Sequence, residues 1–351
     1  MMNHKSFLLL TTLMLLMAGR ALGDPAMDYY NSGVDKNAKG DLDGALADFT
    51  KVIALKPDYA DAYNNRGIIR AKGGLDGALA DFTKAIELQP DNASGYYNRG
   101  IIRAKGDPDG ALADFTKTIE LNPDVASAYY NRGHVKQVNG GLDGALTDYT
   151  KAIALQPDHA SAYNNRGSVK QAKGDLDGAL ADYTKAIQLE PRVASRYHNR
   201  GCFHYDKHEF TDALVDFGKA IKLDASLDYS HIRLWLVRAR LGEVEPATKE
   251  LRSYLETRKT GRPDDWESSI LRFLTGQLAE PAFFKAAANQ DKKKETGQQC
   301  EASFYAGTKR LIEGDKATAA DYFQKCLATD QKIFAEHQSA AAELKFLKST
   351  K

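Results

Sequence analysis

The chain has 351 residues, of which 43% are hydrophobic and 27% are charged, and its formal net charge is +1. This composition is that of an ordinary folded protein and excludes a largely disordered chain. It also lacks the strongly basic balance of nucleic-acid binders, so no nucleic-acid partner is expected.

Residues 1–23 are arranged like a secretory signal peptide. Lys5 precedes an apolar run from Phe7 to Ala18, and a short stretch of small residues ends at Gly23. The run has 12 residues, fewer than the ~20 that a membrane-spanning helix needs. We therefore expect cleavage after Gly23 and an exported protein, periplasmic or secreted. The alternative is an uncleaved signal, which would then be the protein's one membrane contact.

Residues 24–224 consist of a repeated segment whose length is that of one helical hairpin. Six copies are marked by glycines that follow one another at spacings of 34, 33, 33, 34 and 34 residues. These glycines are Gly33, Gly67, Gly100, Gly133, Gly167 and Gly201.

Each copy contains two helical patterns. In the second copy the apolar spacing predicts one helix from about Ala60 to Lys72 and another from about Asp76 to Leu88. Gly73 lies between the two patterns and Pro90 ends the second. Because one hairpin cannot bury its apolar face alone, the copies are expected to stack on one another.

Two aromatic residues, the glycine and an alanine recur in all six copies, and a proline ends the first five. In the second copy they are Tyr63, Gly67, Ala78, Phe82, Ala85 and Pro90. This pattern resembles the tetratricopeptide repeat. The resemblance implies an all-α fold, an α-solenoid of stacked helix-turn-helix repeats wound as a right-handed superhelix with a helical C-terminal cap.

The pattern becomes irregular after residue 224. Residues 225–263 read as a degenerate repeat in which Trp235 replaces the glycine. Residues 264–299 read as an irregular helical linker, with a helix capped before Trp266 and another opened by Pro281. Residues 300–351 read as a final repeat followed by a capping helix over 334–348. This layout is similar to that of periplasmic tetratricopeptide adaptor lipoproteins, although no cysteine near the cleavage site could carry the lipid.

Two polar residues recur with the repeat. An arginine precedes the glycine, as Arg66 does, and an aspartate precedes the aromatic residue of the second helix, as Asp81 does. We expect the two to form an ion pair between the helices, which would fix their register. The alternative is a basic stripe for an acidic ligand, since a second basic residue such as Arg70 follows four positions later.

The resemblance implies that the first helices line a concave groove that binds proteins or peptides. Asparagine offers both donors and an acceptor to an extended peptide backbone, although these asparagines could instead satisfy local backbone groups. The residues expected to face the groove are Asn64, Asn65, Ile68, Tyr97, Asn98, Ile101, Tyr130, Asn131, His134, Asn164, Asn165 and Ser168. The lysines with which chaperone-binding relatives hold acidic tails are absent from these positions.

Three cysteines are present. Cys300 and Cys326 are predicted at adjacent ends of two antiparallel helices, so a disulfide is expected in an oxidising compartment. The alternative is two buried thiols. Cys202 is left over and is expected in the groove.

Histidines cluster around Cys202. His198 and Cys202 are four residues apart, as are His204 and His208. The two pairs point in different directions on a helix, so no metal site is predicted.

No catalytic sequence motif is present. The sequence therefore predicts a non-catalytic scaffold or adaptor outside the cytoplasm, with proteins or peptides as partners and no cofactor or small-molecule substrate. One alternative is an array that assembles with itself. Another is an enzyme whose site lies in residues 225–351, where only His231 and His337 are histidines.

Overall fold

The computed structural model describes residues 24–74, 77–258, 265–332 and 334–349. The predicted signal peptide, residues 1–23, lies outside this range, as does part of the second repeat's turn. Every regular element in these ranges is an α-helix, which confirms the all-α prediction. None of the described helices combines the length and the apolar character that crossing a membrane requires.

The chain divides into two compact units, residues 1–135 and 136–351. The helices of the first unit form antiparallel pairs, one pair per repeat, and α7 continues past the unit's last residue. They are α1 (Pro25–Ala38), α2 (Leu42–Leu55), α3 (Ala60–Lys72), α4 (Ala78–Leu88), α5 (Ala93–Arg103), α6 (Pro108–Leu121) and α7 (Ala126–Val138).

The second unit continues the repeats and then departs from them. Its helices are α8 (Leu142–Leu155), α9 (Ala160–Ala172), α10 (Leu176–Leu189), α11 (Ala194–Asp206), α12 (Phe210–Leu223), α13 (Asp228–Arg240), α14 (Val244–Thr257), α15 (Trp266–Leu274), α16 (Glu280–Ala286), α17 (Lys292–Ile312), α18 (Lys316–Ala328) and α19 (Ala335–Ser349). The two short helices α15 and α16 begin where Asp265 and Pro281 predict them.

Aspartates set the start of three of the second helices. Asp41, Asp107 and Asp175 each accept a hydrogen bond from the backbone N–H of the glycine three residues later, at 2.9–3.0 Å. This bond satisfies one of the N–H groups that a helix start leaves unpaired. In these three repeats the Asp-x-x-Gly sequence therefore fixes where the second helix begins.

A glycine on the first helix lets the aromatic ring of the second helix approach. In the sixth repeat, a Cβ atom added to Gly201 would lie 2.8 Å from Cε1 of Phe217, whose side chain is fully buried. Such a distance is well inside van der Waals contact. Any larger residue at this position would push the two helices apart.

The degenerate repeat 225–263 is present as the pair α13 and α14. Trp235 is 4% exposed, and its indole N–H donates to the Thr248 hydroxyl at 3.0 Å. Gly242 occupies the turn with a φ of +90°, and Ala247 is buried at the helix crossing. The larger ring is accommodated because the second helix supplies a small residue and a hydroxyl acceptor.

The last repeat starts earlier than the sequence pattern suggested. Helix α17 begins at Lys292, so Cys300 lies inside the helix and not at its start. The predicted linker 264–299 therefore ends at about residue 291. The predicted capping helix is α19, which packs against α17 and α18 and also against α11, more than a hundred residues earlier in the chain.

The close approach at Gly201 can be tested against a second glycine of the same repeat. Replacing Gly201 by alanine should destabilise the protein by about 1–3 kcal/mol, because the added methyl group overpacks against Phe217. Gly218 lies inside α12 with nothing within 4 Å of an added Cβ atom. Gly218→Ala should therefore stabilise by about 0.5–1 kcal/mol through helix propensity. Chemical denaturation of both variants is the measurement, and equal effects would contradict the packing argument.

Candidate functional site

Four of the predicted ion pairs between a recurring arginine and a recurring aspartate are present among the described residues. Arg66 donates to both carboxylate oxygens of Asp81, at 3.0 and 2.7 Å. Arg99 with Asp114 repeats this geometry, and so do Arg166 with Asp182 and Arg200 with Asp216, at 2.7–3.0 Å. The aspartates are 2–4% exposed. The charges of each arginine and its aspartate therefore compensate each other within the repeat.

The second basic residue joins the same aspartate. Arg70 Nη1 lies 2.8 Å from Asp81 Oδ2, and Lys170 Nζ lies 2.9 Å from Asp182 Oδ2. These cations are bound by a buried carboxylate of their own repeat. This arrangement favours an ion pair between the helices over a basic stripe that binds an acidic ligand.

The arginines also connect neighbouring repeats. Arg99 Nη1 donates to the Thr83 hydroxyl of the preceding second helix at 3.4 Å, and Arg200 does the same to Thr184. Four of the arginines also lie over the ring of the tyrosine three residues earlier, as Arg99 does over Tyr96 at 5.7 Å. One side chain thus links two helices of one repeat and the repeat before it.

The asparagines of the predicted groove form hydrogen bonds between first helices. In the first unit, Asn65 Nδ2 donates to the Tyr30 hydroxyl at 3.0 Å, and Asn98 Nδ2 donates to Asn64 Oδ1 at 3.1 Å. Asn131 Nδ2 donates to the Tyr97 hydroxyl at 3.0 Å. These asparagines therefore bond to a side chain of the preceding repeat and not to local backbone.

The second unit carries the same arrangement. Asn199 Nδ2 donates to Asn164 Oδ1 at 2.9 Å, while Asn164 Nδ2 donates to Asn165 Oδ1 at 3.2 Å. In each unit we call the surface on which these side chains lie the first-helix face. In the first unit it comprises Tyr30 and the nine predicted groove residues from Asn64 to His134. In the second unit it comprises Asn164, Asn165, Ser168 and Asn199.

The predicted groove residues differ in exposure. Ile101 is 40% exposed and His134 is exposed as well, whereas Asn164 is only 5% exposed. The remaining nine are half-buried. The side chains that a partner could reach most directly are thus Ile101 and His134, with the amide row between them and the repeat core.

Polar side chains hold α19 against the first helices of the sixth and seventh repeats, a contact that the repeat pattern does not predict. Arg233 is fully buried, and it donates to Glu336 at 2.8 Å and to the Ser339 hydroxyl at 3.0 Å. Tyr205 donates to Glu343 at 3.0 Å. Helix α19 is therefore fixed by charged groups on α13 as well as by apolar packing on the last repeat.

Cys202 does not open into a groove, contrary to the expectation. Its side chain is 7% exposed in the core around α11 and α13, and His198 Nε2 lies 3.5 Å from its sulfur. Burial raises the pKa of the Cys202 thiol to about 12 and lowers the pKa of His198 to about 4. At neutral pH both groups are uncharged, and neither is placed to act as a nucleophile or base.

His204 and His208 have different partners, although their spacing of four residues allowed them to share a helix face. His204 Nδ1 lies 2.7 Å from Glu209 Oε2, whereas His208 Nε2 lies 3.2 Å from Glu343. Of the described residues, His204, Glu209 and Asp212 are the one group whose ligand atoms lie close enough for a metal ion. Lys207 also pairs with Glu209 at 2.9 Å. The contacts are those of a surface ion-pair cluster.

Cys300 and Cys326 are brought together. Their sulfur atoms lie 3.0 Å apart, both side chains are fully buried, and both are thiols in this structure. The contact with the Cys326 thiol lowers the pKa of Cys300. The predicted disulfide needs no large movement of either helix.

Comparisons with known proteins agree with the repeat architecture. A model of the TPR repeat matches residues 35–74, 68–105 and 138–174, and a model of the tetratricopeptide repeat matches residues 160–193. A search of curated proteins returned no significant match.

Several solved structures are similar to parts of the chain. A tetratricopeptide repeat protein from Parabacteroides merdae is 19% identical, with a TM-score of 0.56 over 73% of this chain and 99% of its own. The MamA protein is 29% identical over 49% of this chain and 94% of its own, with a TM-score of 0.44. YrrB, described as a TPR protein with an unusual peptide-binding site, is 26% identical over 52% of this chain and 95% of its own, with a TM-score of 0.45.

The contact between α11 and α19 should make stability depend on pH. Asp206 accepts hydrogen bonds from Gln171 at 2.8 Å and from Ser339, and burial raises its pKa to about 7. The charged groups that act on it are Arg233, Glu336 and Glu343. Since the folded state keeps a proton that the unfolded state has lost, stability should fall as pH rises toward 7.

Asp206→Asn removes this titration. Between about pH 5 and about pH 8 the free energy of unfolding of the natural protein should fall by roughly 2–3 kcal/mol more than that of the variant. Urea denaturation at both pH values is the measurement, with Asp158→Asn, at an exposed position, as the control. Parallel pH profiles of the natural protein and Asp206→Asn would show that Asp206 is already ionised at the lower pH.

Proposed function

We propose that this chain, which is a member of the tetratricopeptide-repeat family, is a non-catalytic scaffold that binds partner proteins or peptides through its first-helix face. Repeats of this family form protein-interaction scaffolds, and their binding surface is built from many similar units. The proposal for this chain rests on one observation: the amide and phenol groups of successive first helices are linked into a row.

The row suits an extended peptide. Each donating amide uses one of its N–H groups on the neighbouring repeat, as in the bonds from Asn98 to Asn64 and from Asn131 to Tyr97. The side chains are therefore held in place before a partner arrives, which lowers the entropy lost on binding. A second N–H group and the carbonyl oxygen of Asn98 have no other partner among the described contacts and can pair with a peptide backbone.

Charge does not define this face. The arginines nearest to it are bound to buried aspartates, so they add little free positive charge. Exposed Ile101 and half-buried tyrosines supply apolar area instead. A partner recognised here would present backbone amides and apolar side chains more than carboxylates.

The contacts around the remaining reactive side chains support a non-catalytic role. Cys202 and His198 are buried and uncharged, as described above. His231 stacks on Tyr254 with ring centres 3.6 Å apart, and its Nε2 lies 3.1 Å from the Ala225 carbonyl oxygen. In these contacts the side chains serve packing, and the irregular region 225–351 gains no catalytic arrangement from them.

The first-helix face can be tested by capture. The protein is expressed from its full sequence with a C-terminal tag and used as bait in an extract of the exported fraction. Ile68→Glu with Ile101→Glu should abolish capture of specific partners, because two charges would enter the apolar part of the face. Leu79→Glu is the control, since Leu79 is 42% exposed on a second helix.

Three outcomes are distinct. Partners retained by the Leu79 variant and lost from the isoleucine variant would support the face, provided that circular dichroism shows both variants folded. Equal capture by both variants, or no specific capture, would contradict the proposal. Capture of only the chain itself would favour the self-assembling array.

We further propose that the protein is exported and that Cys300 and Cys326 are joined by a disulfide. The export proposal rests on the signal-like pattern of residues 1–23, and the folded repeats begin directly after it, where Asp24 caps α1 and accepts a hydrogen bond from the Ala26 N–H at 3.1 Å. An oxidising compartment would convert the two adjacent thiols to a disulfide.

One mass measurement tests both statements. Protein recovered from the exported fraction without reductant should have the mass of residues 24–351 less two hydrogen atoms. Reduction should restore the hydrogens and lower stability by about 3–4 kcal/mol, because the bond closes a loop of some 26 residues. Cys326→Ser is the control, since its mass should not respond to reductant. A full-length protein in the cytoplasm with three free thiols would contradict the proposal.

A further inference from the structure

A cleft runs along α19 on the side that faces α9 and α11, within the second unit. Its volume is about 600 Å³. One wall is formed by Ala172, Leu176 and Lys207, and the opposite wall by Ala341, Lys345 and Phe346 of α19. It exists because the polar contacts from α13 hold α19 beside the repeats without filling the space above α9.

The cleft presents apolar area to solvent. Leu176 is 39% exposed and Phe346 is 38% exposed, and the two lie on opposite walls. Phe203 contributes a ring at the base. Ala172 and Ala341 are small and exposed, so the backbone of a partner can approach both walls closely. Exposed large apolar residues grouped in a concave site are typical of a binding surface.

The charge around the cleft is positive. Lys207, Lys332 and Lys345 all lie along it, and its one carboxylate side chain, Asp206, is occupied by Gln171 and Ser339. Lys207 and Lys332 pair with acids that do not line the cleft. Lys345 is exposed and has no ion pair among the described residues. An approaching ligand therefore meets the unpaired ammonium group of Lys345 at the rim and apolar side chains below.

We infer that this cleft binds an acidic segment of a partner protein whose apolar side chains enter between Leu176 and Phe346 while a carboxylate pairs with Lys345. The inference goes beyond the proposed function, because the cleft shares no residue with the first-helix face. It also differs in the chemistry of its partner, since the first-helix face offers amides and the cleft offers cations. The two surfaces can therefore succeed or fail independently.

Selection of peptides tests the inference. A display library of random peptides is selected on the purified protein expressed from its full sequence. The enriched peptides are then synthesised with a fluorescein label and measured by fluorescence anisotropy. We expect enrichment of peptides that combine acidic with apolar residues, and binding that weakens as salt is added, because salt screens exposed charge pairs.

Three variants locate the binding. Lys345→Glu and Ala341→Glu should each weaken binding by about tenfold or more, because an attractive charge is reversed or a repulsive charge is placed on the apolar wall. Lys348→Glu is the matched control, since it makes the same charge change on the exposed end of the same helix outside the cleft lining.

Several results would overturn the inference. They are enrichment of basic or uncharged peptides, absence of any enriched peptide, and equal weakening by Lys345→Glu and Lys348→Glu. Peptides that lose binding only with the Ile68→Glu and Ile101→Glu variant would place recognition on the first-helix face. That result would support the proposed function and reject the cleft.

Discussion

The buried aspartate of each second helix is the constraint on which the repeats depend. An ionised carboxylate that is only 2–4% exposed would be very costly without a partner, because burial removes its hydration. The arginine one residue before the glycine supplies that partner through two parallel hydrogen bonds. Sliding one helix along the other would break both bonds, so the pair fixes register more than it adds net stability.

The same arginine explains why the repeats stack in a regular way. Its remaining nitrogen reaches a threonine of the preceding repeat, and its plane covers a tyrosine of its own helix. The contact of glycine with an aromatic ring sets the distance between the two helices, and the arginine sets their alignment. Arginines and aspartates that hold the repeats together in this way are not available to bind a partner.

The second unit uses charge in another way. Arg233 lies on a first helix, but its partners are Glu336 and Ser339 of the distant helix α19. That helix therefore does more than cover the apolar end of the array. Held by ions and hydrogen bonds at its buried side, it presents alanines, a lysine and Phe346 on its other side and so creates a cleft that the repeats alone do not contain.

Much of the fold was determined by the sequence by itself. The spacing of glycines and prolines predicted the helix pairs, and Asp265 predicted the helix start at Trp266, because these signals act over a few residues. The Arg66–Asp81 pairing followed from periodicity, since a stacked repeat places equivalent residues in equivalent surroundings.

Only the tertiary structure decided how α19 lies against α11 and α13, because those contacts join residues more than a hundred positions apart and have no counterpart in the repeats. The burial of Cys202 and the start of α17 at Lys292 likewise depend on contacts that the repeat pattern does not contain. The hydrogen-bond partners of the asparagine amides were also not predictable. The sequence pattern allowed a ligand, the local backbone or the neighbouring repeat as the partner. Local rules fix where a helix begins, whereas packing between distant segments fixes which of its faces remains free.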